Sequence, residues 1–515
     1  MSSLSRRAAL GILAVGAVGA VGAATGLVHR YGRKDVPADV LPTRRASHTG
    51  RNPVVTENAC TGTRDWQVTE RGPRVVTDPD RQIQGYASTT SAAAGDSVAF
   101  HVSVRPAQEF TVTVHRIGHY GGQGGRQLAQ SPTLRGIAQP VPPAHPEHGM
   151  IDCGWPVSWT LDIPEDWVAG VYLAVFRSKD GHRSSTPFVV RDTARASDIL
   201  VVLPFTTYQA YNAWPQDGRT GKSLYKGFDA QGRNAGNAER AFKVSFDRPY
   251  SDSGRPSWFK MDSSFVRWAE MSGYDVTYAS SIDLHEGRID PTKYAALVFS
   301  GHDEYWSRQM RDVAEKAVAS RTHLAYLGAN NIYFHIRTEE SPAGRNNRVV
   351  VCYKQDPDPT PNEHGPTVRW RDLEKKRKHA EQRLLGVQYN GMLARPVPLV
   401  VRRADHWLWQ GTGLTEGEQI PNLVGVEADG HDPRTRLPRR AVQQLLSHSP
   451  YLDGMGRGER IQNTSLLQHR DGTMVFVAGT FLWPLALGSP DHLDSRIQTA
   501  TGNLFDRMVT RTVRA

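Results

Sequence analysis

Three ionisable residues stand side by side at His302-Asp303-Glu304, with Gly301 before them and Tyr305-Trp306 after. The apolar run Ala295 to Phe299 ends just upstream, and packing alone gives little reason to place three such groups there. Two other segments carry similar chemistry: Thr207 to Trp214, with Tyr208, Tyr211 and Asn212, and Ser245 to Tyr250, with Asp247 and Arg248. Tyrosine phenolate and glutamate carboxylate are hard oxygen donors and favour hard cations. A free tyrosine titrates near about 10, so ligation as phenolate needs a strongly charged ion to displace the proton. Ferric iron is the natural candidate. Such an ion polarises a carbonyl and acidifies a water, which is what hydrolysis of an unactivated amide requires. His302, with a reference pKa near neutrality, could move the proton. The plainer readings are a core tyrosine with a satisfied hydroxyl, a turn histidine, and a Glu304 placed to face a helix N-terminus.

The surrounding pattern says how these groups would be positioned. Ile199–Leu203 is a continuous apolar run, the kind buried on both faces of a sheet. A helix is expected around Ser257–Ser272, with Trp258, Met261, Phe265 and Trp268 on one side. Strands at Asp275–Ala279, Ala295–Phe299 and His323–Leu327 alternate with a helix over Ser307–Ser320. Trp306, Met310, Val313, Ala314 and Ala317 share one face of that helical pattern. This alternation predicts an α/β domain, a largely parallel sheet with helices on both faces. Ligands in such sheets bind beyond the carboxyl ends of the strands, so Thr207–Trp214 and His302–Glu304 could face one cleft. After about residue 340 the pattern is mixed β, with strands at Leu399–Arg402, Asn422–Glu427 and Met474–Ala478 and a closing helix at Gly502–Val509.

Upstream, the period is two. Val98–Val104, Phe110–Val114, Val157–Leu161, Val171–Phe176 and Phe188–Val190 alternate between turn clusters, which predicts an immunoglobulin-like β-sandwich. The Gly-rich stretch Gly118–Arg126 lacks the strand-before, helix-after context of a phosphate loop and reads as a bulged turn. The expected organisation is a signal segment over 1–28, a linker over 29–58, the sandwich over 59–193 and the α/β domain over 195–515.

Charge and cysteines bound the rest. The chain of 515 residues carries a net charge of +10. Residues 1–50 hold seven basic and two acidic side chains, half of that excess. Arg6-Arg7 before the uncharged run Ala8–Val28 has the form of a twin-arginine export signal. The run is long enough to span a bilayer, so a membrane tether follows if the segment is retained. The expected location is the cell envelope or beyond. The run Lys375–Lys378, set among Glu374 and Glu381, reads as a solvated helix face. No nucleic-acid motif of the common kinds is present, and self-association is left open. Cys60 and Cys153 bracket the β-rich region and could pair after export. Cys352, in the apolar run Val349–Tyr353, reads as a buried thiol. None has zinc-site spacing.

The same segments carry a resemblance. Ala210-Tyr211-Asn212, Ser223-Leu224-Tyr225, Phe246–Tyr250, Gly301–Ser307, Leu385–Tyr389 and Ala478-Gly479-Thr480 with Trp483 occur in order and resemble the C-terminal domain of the N,N-dimethylformamidase large (beta) subunit. The similarity spans roughly residues 195–512. It implies a mononuclear iron held by two tyrosines and a glutamate, with a histidine two residues before the glutamate. Glu304 and His302 match that spacing. Tyr211 and Tyr250 are the tyrosines chosen here, with Tyr208 a rival for the first. The implied reaction is hydrolysis of a small N-substituted amide to an amine and a carboxylate. That family's enzyme is cytoplasmic, longer, and paired with a small subunit; this chain carries an export-like leader, so its substrate does not carry over.

Two rivals stand beside this reading. One is a non-catalytic envelope protein that uses the sandwich to bind a partner or glycan, since fold does not imply function. The other is a cysteine-dependent hydrolase. Cys352 speaks against it, because it sits in an apolar strand and not at a strand-to-helix elbow.

Overall fold

The apolar run Ile199–Leu203 is wholly buried and lies second in a seven-stranded sheet. A computed structural model describes residues 52–510 other than 69, 71, 193, 196, 439 and 440. Across that sheet the strands run Val276–Ser280, Ile199–Leu203, Ala296–Phe299, His323–Tyr326, Met474–Val477, Ser465–His469 and Ala441–Leu445. The first five are parallel; the last two pair antiparallel. Elsewhere most pairings are antiparallel, so the chain as a whole is mixed α/β with sheets of mixed orientation.

Strand periodicity splits the buried side chains between two cores. Val201, Leu203 and Val298 pack with Phe265, Trp268 and Phe505 from the helices Phe259–Met271 and Ser495–Val509. Leu200, Val202 and Phe299 pack with Met310, Ala314 and Ala317 from the helix Arg308–Ala319. That helix begins one residue later than the apolar spacing suggests. Trp306 belongs to a short strand, Tyr305–Ser307, paired parallel with Phe334–Glu339. The Ser307 hydroxyl then accepts the Met310 N–H and starts the helix, as serine does at an N-cap.

The upstream strands form two further sheets. One orders Ser91–Ala93, Arg183–Arg191, Gly170–Ser178, Gln108–Ile117 and Gly125–Gln130, with Leu134–Gly136 also on Gln108–Ile117. The other orders Ile83–Ala87, Ser97–Val104 and Trp159–Asp162. Val98, Phe100, Val112, Tyr172, Phe176 and Phe188 fill one core between these strands. A second core crosses residue 195: Ile117, Val171 and Val189 pack in one cluster with Ile199, Phe265 and Trp268. A fully buried ion pair spans the same junction, with Arg116 Nη1 and Nη2 each 2.9 Å from a Glu270 carboxylate oxygen.

Residues 53–58, expected to end a linker, are a helix. Asn52 caps it by accepting the Val54 N–H, Val54 is buried, and Asn58 donates to Glu270 at 2.7 Å. The twin-arginine segment lies outside the described residues; among those described, no helix is long and apolar enough to cross a membrane. The run Lys375–Arg377 is a 3-10 turn without buried residues.

Cys60, Cys153 and Cys352 are all free, so the Cys60–Cys153 pairing is not formed. Cys153 and Cys352 are buried, and burial pushes both thiols up, Cys352 to about 11. A thiol must ionise to react. Native protein treated with iodoacetamide at pH 8 is therefore expected to be alkylated at Cys60 alone, by intact-mass measurement, and at all three after denaturation.

Candidate functional site

In chain order, the five parallel strands of the central sheet lie 2-1-3-4-5, so the connections from the first and third strands leave toward opposite sides. A crevice opens at such a point, beyond the carboxyl ends of the strands. The first strand feeds, through Pro204, the short helix Phe205–Tyr211. The third, Ala296–Phe299, feeds His302–Glu304. The helix pins that loop directly. Thr207 Oγ1 accepts the N–H groups of Glu304 (3.0 Å) and Tyr305 (3.2 Å), and Thr206 donates to the Tyr305 carbonyl. Gly301 is required by close approach: a Cβ there would lie 2.4 Å from Asp262 Oδ2.

Four side chains converge. The Tyr211 hydroxyl donates to Glu304 Oε2 at 2.8 Å and lies 3.1 Å from the Tyr225 hydroxyl and 3.2 Å from His302 Nε2. The Tyr225 hydroxyl is 2.6 Å from both Glu304 oxygens. His302 Nε2 is 3.3 Å from Glu304 Oε2, and Nδ1 faces the Ala329 carbonyl at 3.1 Å. That carbonyl accepts only from an N–H, so Nδ1 carries a proton, and Nε2, facing Glu304 and Tyr211, is the nitrogen whose proton comes and goes. Phe481 covers the imidazole at 4.4 Å between ring centroids.

Burial sets the electrostatics. It opposes the imidazolium, but the hydrogen bond and charge of Glu304 outweigh it and raise the His302 pKa. Burial would raise Glu304; His302, then Lys354 and Tyr225, hold it below its usual range instead. Both phenols are pushed up by burial and by the Glu304 charge. Lys354 lies over the Tyr225 ring at 3.3 Å and is 5% exposed. Burial brings its ammonium down to about 7. Glu427, which accepts from Asn330 Nδ2 at 2.9 Å, is raised by burial to about 7.

The backbone around this cluster is strained. Trp258, Asn330, Ile332, Lys354 and Val426 all have φ between 53° and 70°. For the β-branched Ile332 and Val426 this costs on the order of 1–3 kcal/mol each. Such residues persist where the fold overdetermines them, which is common at working sites.

The sequence candidates divide clearly. Tyr211, His302 and Glu304 come together. Tyr208 does not join them: its hydroxyl bonds Asp262 at 2.5 Å. Tyr250 is held elsewhere, because Asn212 clamps its backbone, donating to the Pro249 carbonyl and accepting the Ser251 N–H. It lines a small pocket with Phe205, Phe246, Arg248 and Arg348. The second tyrosine at the carboxylate is Tyr225, carried on a turn whose Leu224 N–H bonds the Ala210 carbonyl. Tyr225, Lys354, Asn330 and Glu427 were not singled out from sequence. A signal existed for Tyr225, since Ser223-Leu224-Tyr225 is one of the segments that carry the family resemblance. Asp303 turns away from the cluster toward Thr207.

A sequence profile of proteins described as N,N-dimethylformamidase beta subunit-like, C-terminal, matches residues 111–496. The chain belongs to that family. The dimethylformamidase-like region starts inside the strand Gln108–Ile117, so it takes in much of the six-stranded sheet and is wider than the 195–512 read from sequence. No curated protein matches the chain. Among solved structures, a β-glucosidase mutant from Listeria innocua in complex with laminaribiose shares 8% identity over 21% of this chain and 16% of its own, with a TM-score of 0.14. A cycloisomaltooligosaccharide glucanotransferase from Paenibacillus sp., complexed with cycloisomaltoheptaose, shares 10% over 62% and 61%, at 0.17. PhoD shares 8% over 84% and 99%, at 0.23. The chain thus spans less than two thirds of the first two, and at these scores none informs the function.

Among the described residues, no three His, Cys, Asp or Glu side chains form a metal-binding group. The oxygens that converge here belong instead to two phenols and one carboxylate, 2.6 to 3.1 Å apart. All are hard donors. Two phenolates and a carboxylate carry three negative charges, which a trivalent cation would neutralise, as a buried site requires.

Proposed function

We propose that this protein hydrolyses the C–N bond of a small N-substituted amide, with a mononuclear iron held by Tyr211, Tyr225 and Glu304. The observation that carries the reading is the convergence of two tyrosine hydroxyls and the His302 imidazole on one buried carboxylate at the switch point of a parallel sheet. Family membership supports the amide-hydrolase class. When bound, ferric iron would supply the Lewis acidity that polarises the amide carbonyl and acidifies water.

The protein's own groups do the rest. His302 Nε2 accepts one proton of the attacking water and returns it to the leaving amine, and the carboxylic acid formed releases the other to solvent, giving a carboxylate and a free amine. The Ala329 carbonyl fixes the ring for that exchange. Lys354 places a cation beside Tyr225 and Glu304, which favours the anionic forms of both. Phe481 and Trp258 wall the site against bulk water. In the twin-arginine reading, the folded protein is exported with its metal in place.

The test of the ligand set is a pair of substitutions. Tyr225→Phe is expected to abolish iron retention and activity, while Tyr250→Phe keeps full iron content by elemental analysis. Iron retained by Tyr225→Phe and lost from Tyr250→Phe would reverse the assignment.

A further inference from the structure

Beside the Glu304 cluster lies a cleft of about 370 Å³ lined by Arg369, Arg371, Arg434, Arg457, Arg460 and Gln388. Tyr333 and Tyr389 form its wall toward the site, with ring centroids 5.1 Å apart. The connection to the site is through shared backbone. The Tyr333 N–H bonds the Glu304 carbonyl at 2.9 Å. The strand Gln388–Met392, on the cleft at one end, pairs with Glu427–Gly430, which carries Glu427 at the other.

Four of the five arginines have carboxylate partners. Arg371 bonds Glu381 at 2.6 Å, Arg457 bonds Asp453 at 2.7 Å, Arg434 bonds Asp432 at 3.0 Å and Arg369 pairs with Asp372. Arg377 also draws on Asp432. Arg460 is different: among the described residues it makes no ion pair, and its buried Nε has no hydrogen-bond partner. Two more atoms on the cleft are buried and unpartnered: His431 Nδ1, and Oε1 of Gln388, a residue 3% exposed, which as an acceptor calls for a donor group of a ligand or a water and not for the anion itself. Buried polar atoms without partners are rare and call for a ligand or water. An excess of guanidinium over carboxylate selects anions, and arginine suits a carboxylate by its planar fork.

We propose that this cleft binds a carboxylate on the substrate, so that the protein acts on anionic amides, compounds bearing an acid group next to the amide that is cleaved. The proposal rests on the amide-hydrolase reading for the reacting bond; the carboxylate binding stands on the cleft itself.

The test uses the full chain, with N-methylsuccinamate as the anionic amide and N,N′-dimethylsuccinamide as its neutral counterpart. Calorimetric titration at low salt is expected to give at least tenfold tighter binding of the acid. Arg460→Gln and, separately, the exposed Arg434→Gln should cut that preference, and added salt should weaken it. Equal binding of the two amides would overturn the proposal, as would a folded Arg460→Gln protein that keeps the full preference. So would displacement of both amides by inorganic phosphate with no preference for the acid, which would mark a general anion site. Amine release, measured in parallel, separates the two readings. Binding of the acid through Arg460 without cleavage keeps the cleft and removes the hydrolase; cleavage of both amides at equal efficiency does the reverse.

Discussion

Glu304→Gln is expected to lose iron and to lower kcat/KM at least about a thousandfold, with the fold intact. The reason is that Glu304 is the one anion on which Tyr211, Tyr225 and His302 all converge. Glutamine keeps the shape and removes the charge. A Lewis acid supplies several kcal/mol of transition-state stabilisation, and about 1.4 kcal/mol is tenfold in rate, so the loss is near-total and not graded. Circular dichroism would show an unchanged fold, because the backbone bonds of residue 304 to Thr207, Tyr333 and Phe334 do not involve its carboxylate. A Glu304→Gln protein with full iron content would remove this residue from the ligand set.

Glu270→Ala is expected to give the largest loss of stability, about 3–5 kcal/mol in denaturant unfolding, without touching the site. It leaves the Arg116 guanidinium buried without its carboxylate, and breaking one side of a buried pair costs about that much. Two more donors lose a bond with it: the Tyr278 hydroxyl (2.8 Å) and Asn58 Nδ2 (2.7 Å), which keeps only its bond to the Val54 carbonyl. The three belong to the helix Pro53–Asn58, the six-stranded sheet and the central sheet, so Glu270 ties together parts far apart in sequence. Arg116→Met with Glu270→Leu, which removes both charges, should recover most of the loss. A single Glu270→Ala variant within 1 kcal/mol of the parent would deny the pair this role.

How much of this was legible follows from what each residue answers to. Ile199–Leu203, Ala296–Phe299 and Phe259–Met271 answer to burial alone, and their apolar spacing marks them to within a residue or two. The Trp306 strand was not legible, because its pairing with Phe334–Glu339 depends on a segment about thirty residues away, and its three side chains carry no period. The site divides the same way. His302 and Glu304 stand at the end of a readable strand, and Tyr211 at the end of the helix after another. Tyr225 sits on an irregular turn, placed by one backbone bond from Leu224 to Ala210 and by the Ser223 hydroxyl. Tyr250, on a more conspicuous motif, is drawn away by Asn212. Neither contact has a signature in local sequence. Lys354 and Glu427 are still less visible, since a lone lysine after a strand looks exposed until the fold closes Tyr225, Phe334 and Tyr305 around it.

The most direct test of the central claim is the metal content and visible spectrum of the full-length protein purified without added metal. About one iron per chain, with a broad tyrosinate-to-iron absorption that disappears in Tyr225→Phe, is the expected result. A colourless protein that holds no iron and cannot be reconstituted with ferric salts would contradict it, and Tyr211, Tyr225 and Glu304 would then be a hydrogen-bonded core and not a metal centre.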